Sequence, residues 1–302
     1  MRAPSSNDAG FSLPELLVST LVLGAILTVV THVLLVTANG QRTMWNRTQM
    51  HSGVRGAIEL LQQEVGQAGL VALPGDVTLG ADVAAGTQPV AVSSTAGMFV
   101  GAQLIVGTGA SQETVTVSAV DGSTQVTATF SQSHLSGAPV DIAGGFAQGI
   151  VPPALADGST GTMLKLFGDI NSDEAMVYVE YTCDTGTGRL SRNMMAWDAV
   201  AKPALVPAHI LLSNVVANPD GAPCFSYQTE VVAGNTYVTS VAITLSVQTQ
   251  DIDPTTRQFQ IETKTLLNVS PRNVFYTWQM ASMGENNRIQ PMPPSILALL
   301  PS

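Results

Sequence analysis

The chain has 302 residues, a formal net charge of −10, 45 % hydrophobic residues and only 11 % charged ones. The charged share is far below the ~25 % of ordinary globular proteins, and Gly, Thr, Val, Ala and Ser fill the gap, as in a β-rich exported protein rather than a Lys/Glu-rich cytosolic enzyme. Between Gly56 and Leu164 there is no Lys or Arg, while Glu59, Glu64, Asp76, Asp82, Glu113, Asp121, Asp141 and Asp157 all lie there; such a segment repels a phosphate backbone and argues against nonspecific nucleic-acid binding.

Met1 to Gly10 is short and polar. From Leu16 to Ala38 the chain carries no Asp, Glu, Lys or Arg, a run of about 23 residues that is long enough to cross a ~30 Å hydrocarbon core as a helix. It exceeds an ordinary signal-peptide core, and no small-x-small cleavage site follows it, so it is expected to stay in the mature protein. Glu15 stands at the head of this run. A carboxylate there is either an interfacial group favoured by the helix dipole or a functional group whose burial in lipid is costly.

The residues Gly10-Phe11-Ser12-Leu13-Pro14-Glu15-Leu16-Leu17-Val18 resemble the processing motif of type IV pilins and type II secretion pseudopilins. The resemblance covers roughly Gly10 to Leu70. It implies a leader over residues 1–10, cleavage between Gly10 and Phe11 by a prepilin peptidase, and N-methylation of Phe11. It implies that Glu15 drives assembly, its carboxylate pairing with the N-terminal amine of a neighbouring subunit. The partners it implies are the peptidase, other major and minor pilins, an inner-membrane assembly platform and membrane lipid. The location it implies is the bacterial inner membrane, then a filament, with the head outside the cytoplasm. Gly24 matches a glycine common in this stretch of the family. His32 stands where many major pilins carry a proline, and it is read as a polar residue near the outer interface.

After Asn39-Gly40 the pattern becomes amphipathic. Met44, Arg47, Met50 or His51, Val54, Ile58, Leu61, Val65 and Ala68 recur at spacings of three and four. One helix is predicted from about Pro14 to Ala68, with Gly69 as its C-cap. Arg42, Arg47 and Arg55 read as a solvated face of it.

From Val77 to Ile142 short strands are predicted at Val90–Ser93, Gln103–Val106, Glu113–Val120 and Gln125–Phe130, separated by Gly107-Thr108-Gly109 and Asp121-Gly122-Ser123. This stretch, 77–143, reads as a small β-module inserted after the helix. His134 within it is isolated and is taken as a surface or turn residue. Gly144 to Pro153 reads as a linker. A β-rich head over 150–280 follows, with strands at Met163–Phe167, Ala175–Tyr181, Arg189–Ala196, Tyr237–Thr249 and Gln258–Val269. The last two form a hairpin through Asp251-Ile252-Asp253-Pro254, and Ser270 to Val274 closes the sheet. Residues 283–302 read as a flexible tail. The expected fold class is therefore α+β: a long N-terminal helix, half of it transmembrane, on an antiparallel β-sheet head with an inserted β-module.

Cys183 and Cys224 are the two cysteines. Two cannot by themselves build a structural zinc site; in an exported chain they are expected to form a disulfide, the alternative being two buried thiols. Asp169, Asn171, Asp173 and Glu180 have the spacing of oxygen ligands in a calcium loop. Glu174 replaces the glycine such a loop needs and the flanks read as strands, so a polar turn is the preferred reading. No nucleophile–base pair, GxSxG, HExxH, P-loop or CxxC occurs, and neither an enzyme nor a cofactor is expected. The size of the head favours a minor, tip-proximal pilin. A minor pseudopilin of type II secretion is the alternative, and a pilus-displayed adhesin or DNA-uptake receptor is the reading from another class.

Overall fold

The computed structural model describes residues 12–301; Gly10 and Phe11, the expected cleavage junction, lie outside the described residues. The first element, α1 (Leu13–Gln67), is one unbroken helix of 55 residues, about 80 Å long at 1.5 Å per residue. The chain groups into two compact units, one holding residues up to Met50 together with Thr249–Gln260, the other holding His51–Gln248 and the residues from Ile261 onward.

The predicted amphipathic face holds only in the last turns of α1. Val54, Ile58, Leu61 and Val65 are buried, as is Ala68 just beyond. Met44, expected on the same face, is instead 71 % exposed. The helix stops at Gly69, whose φ of +85° suits a residue without a side chain. A Cβ there would lie 2.8 Å from Val274 Cγ2, so the same glycine lets the chain pass close to the segment after the last sheet.

Six strands follow: β1 (Val77–Thr78), β2 (Gly86–Ala91), β3 (Gln103–Val106), β4 (Glu113–Asp121), β5 (Gln125–Phe130) and β6 (Pro139–Ile142). They form one antiparallel sheet in the order β1-β6-β3-β4-β5-β2. The period-2 alternation turns Val126, Ala128 and Phe130 of β5 inward. The expected linker is not a free connection. It contains β7 (Gly145–Phe146), and Phe146, Ile150 and Val151 are fully buried.

Next come β8 (Met163–Gly168), β9 (Val177–Asp184), β10 (Arg189–Ala196) and β11 (Ile210–Ser213), an antiparallel sheet in the order β11-β10-β9-β8. Tyr178 through Tyr181 are buried without a break, because both faces of this sheet are covered. Phe167, Tyr178 and Met195, paired across the strands, share a core with the six-stranded sheet. Tyr181 points the other way and meets α1. The inserted module and the head thus share one hydrophobic core.

A third sheet is built from β12 (Val215–Val216), β13 (Phe225–Val232), β14 (Asn235–Gln248) and β15 (Ile261–Val269), with β14 bonded to all three others. The predicted hairpin is β14–β15. Ser270 to Val274 does not close the sheet. A second helix, α2 (Arg272–Ser282), begins there. The segment expected to be a flexible tail carries β16 (Ile289–Gln290), parallel to β7, and a short helix α3 (Pro294–Leu299). Ile296, Leu299 and Leu300 enter the shared core. Gln290 is fully buried, its side chain bonded to both backbone groups of Gln103 at 2.9 and 2.8 Å.

Candidate assembly segment

The apolar half of α1 is long and apolar enough to span a membrane, and its side chains from Leu13 to Val36 stand exposed. Leaving so many Leu, Val and Ile side chains in water is costly, at ~25 cal/mol per Å² of apolar surface. Lipid or neighbouring helices would cover them.

Glu15 sits in the first turn of this helix. Its Oε2 accepts from the Ser12 backbone N–H at 3.4 Å and from Ser12 Oγ at 3.3 Å. Ser12-Leu13-Pro14-Glu15 is a capping-box spacing, in which the third residue of the helix reaches back to the residue before it. The carboxylate therefore has a local role in starting the helix, and it remains exposed. Pro14 lies where a missing N–H costs nothing. The Ser12/Glu15 spacing is itself a local sequence signal for the helix start.

The far end of α1 is fixed by a buried charge. Glu64 is 4 % exposed. Its carboxylate accepts from Tyr181 Oη at 2.5 Å and from the Arg192 guanidinium at 2.5 and 3.1 Å. Tyr181 and Arg192 face each other across β9 and β10, so one carboxylate from the helix grips two strands. Burial first, then the Glu64 charge, pushes the Tyr181 phenol far above its usual range. Burial pulls the Arg192 guanidinium down, but the Glu64 hydrogen bond and charge outweigh it and hold it above its ordinary value.

The proposed calcium ligands do not converge. Both Asp169 carboxylate oxygens accept backbone N–H groups of the same turn, from Asp173 at 3.0 Å and Glu174 at 3.1 Å. Glu180 lies within β9, accepting from Tyr178 Oη and Lys202 Nζ, each at 2.7 Å. Among the described residues no three His, Cys, Asp or Glu side chains cluster as a metal site would require. Lys165, also beside Glu180 at 3.8 Å, donates to the carbonyls of Asp157 (2.8 Å) and Leu300 (2.6 Å). Burial lowers its pKa, and the Leu300 carbonyl ties the C-terminal turn to β8.

Cys183 and Cys224 are joined, with 6.4 Å between their Cα atoms. The bridge ties β9 to the start of β13. His134 is not a surface residue: its ring is buried, and Nε2 lies 2.8 Å from Glu113 Oε1. Glu113 also accepts the N–H groups of Ser131 (2.7 Å) and Gln132 (3.0 Å). Burial pushes its pKa up, but the His134 and backbone hydrogen bonds outweigh that and hold it below its ordinary value.

No family model, curated protein or solved structure matches the chain.

Proposed function

We propose that this chain is a structural minor pilin. In this reading it is cut after Gly10, methylated at Phe11, held in the inner membrane by the first half of α1, and then packed into a filament through that half. The observation that carries the reading is the division of labour along one unbroken helix. Its N-terminal half is exposed and apolar with a carboxylate at its head, while its last turns are locked into a β-rich head. A helix docked through its last turns keeps its exposed apolar half for lipid and for other subunits.

In the proposed assembly, Glu15 gives up its contact with Ser12 for the amine of an adjacent Phe11. Once packed helices exclude water from Glu15, that pairing keeps its carboxylate from being a buried, unpaired charge. The partners are the prepilin peptidase, other major and minor pilins, the inner-membrane platform and lipid. The role is structural, not catalytic, and its acidic β-module faces no nucleic acid.

The test is Gly10→Ala. The variant should accumulate as uncut or poorly cut precursor in the membrane fraction; processing at the normal rate would remove the cleavage assignment. Identification of the subunits that copurify with the mature chain separates a pilus from a secretion pseudopilus.

A further inference from the structure

Between β14 and β15 the chain makes a loop, Thr249–Gln260, that groups with α1 up to Met50 and not with the sheets. The loop is internally braced. Asp253, 3 % exposed, accepts from the N–H groups of Thr255 (2.7 Å) and Thr256 (3.2 Å) and from the side-chain amide of Gln260. Arg47 of α1 donates to the Gln260 side-chain oxygen. While Asp253 and Gln260 bond inward, the loop turns Ile252 outward, 53 % exposed, and Phe259, 43 % exposed.

The tip of the loop reaches the level at which the apolar run ends. Asp251, Ile252 and Pro254 line one groove together with Ala38, Arg42 and Trp45. Ala38 is the last residue of the apolar run. Resting on the reading that this run crosses a bilayer, the helical rise sets the height of the groove. The residues from Arg42 to Trp45 lie about 6–10 Å past Ala38. The headgroup zone adds roughly 5–8 Å beyond the hydrocarbon on each side. Side chains on a helix also lean toward its N-terminus, which tilts Trp45, 71 % exposed, back toward the membrane.

We infer that the Thr249–Gln260 loop and Trp45 form a foot that seats on the outer headgroup layer of the membrane, and that the groove between them receives a zwitterionic phospholipid headgroup. Trp45 and Ile252 supply the apolar and aromatic surface that favours an interface. Arg42 offers a cation to the phosphate, and Asp251 offers a carboxylate to the ammonium while disfavouring a purely anionic lipid. The consequence is a loop anchored at the bilayer before extraction, with a contact that must be released on assembly.

The experiment uses the full chain in vesicles of phosphatidylethanolamine and phosphatidylglycerol, with the photo-crosslinker p-benzoyl-phenylalanine replacing Ile252, Leu27 or Leu135 in separate preparations. Leu27 lies within the apolar run and reports whether the helix is in the bilayer. Leu135, 74 % exposed in the other unit, reports nonspecific adsorption. The expected result is lipid adduct at 27 and at 252, several-fold above 135, with the adduct at 252 enriched in the zwitterionic lipid relative to that at 27. Adduct at 27 but none at 252, or a 252 adduct to a second copy of the chain, overturns the foot and leaves the membrane span intact. Lack of adduct at 27 overturns the span and the foot with it. Equal yield at 135 and 252 overturns the assignment to this loop, and equal lipid composition at 27 and 252 overturns the choice of headgroup.

Discussion

The Glu64 carboxylate of α1 meets the Arg192 guanidinium of β10 at 2.5 Å, with the Tyr181 hydroxyl on the same oxygen pair. The contact joins residues 128 positions apart, and it places a fully formed ion pair where a helix end meets a sheet. Removing one member of a buried pair strands the other charge. Glu64→Ala should therefore lower the unfolding free energy by roughly 3–5 kcal/mol, more than its lost methylenes explain. Pairing it with Arg192→Leu should recover part of that loss. Urea unfolding of the full chain in detergent measures both; equal stability of the single variant and the parent would show that the pair does not hold the helix.

Glu15 has two separable roles, and its neutral isostere distinguishes them. Glutamine can keep the reach-back to Ser12 that a capping box needs, but it carries no charge for a neighbour's amine. Glu15→Gln should be processed normally and still incorporate as poorly into filaments as Glu15→Ala. Incorporation of the glutamine variant at the parent level, measured by immunoblot of sheared filaments, would reduce Glu15 to a helix cap.

The buried Glu113–His134 pair makes the six-stranded sheet acid-sensitive. The Glu113 carboxyl is held below its ordinary value of 4.5, so the folded chain binds fewer protons there than the unfolded chain does. Its contribution to stability is present above about pH 4.5 and is lost as the pH falls through the lower, folded value. Glu113→Gln should flatten the stability profile below pH 5 and lower stability at neutral pH. An unchanged acid slope in urea titrations across that range would contradict the assignment.

Gln103–Val106, Gln125–Phe130 and Arg189–Ala196 have the bounds the sequence predicts; in the first two every second residue is buried, because one face meets a core. Phe225–Val232 carries no clear strand signal, because most of it is exposed and its polar residues follow no period. Arg272–Ser282 was hidden by Ser270-Pro271, which reads as a stop but here precedes a helix start, and by aromatic residues that favour strands. The buried C-terminal segment did carry a signal: Ile296, Leu299 and Leu300 have the i, i+3, i+4 spacing of a helix face, masked by the prolines around them.

At the candidate site, the apolar run, Glu15 and the paired cysteines were legible because each depends on composition or local spacing. The partners of Glu64 and His134 were not. Their contacts are made by tertiary packing between segments far apart in the sequence, helix on sheet for Glu64 and loop on strand for His134, which no local pattern encodes.

The most direct test of the central claim is the N-terminus of the chain purified from membranes, read by intact-mass and peptide mass spectrometry. The account predicts a mature chain that begins at Phe11 and is heavier by one methyl group on its amine. A chain that keeps residues 1–10, or one that begins at an unmethylated residue elsewhere, would contradict it.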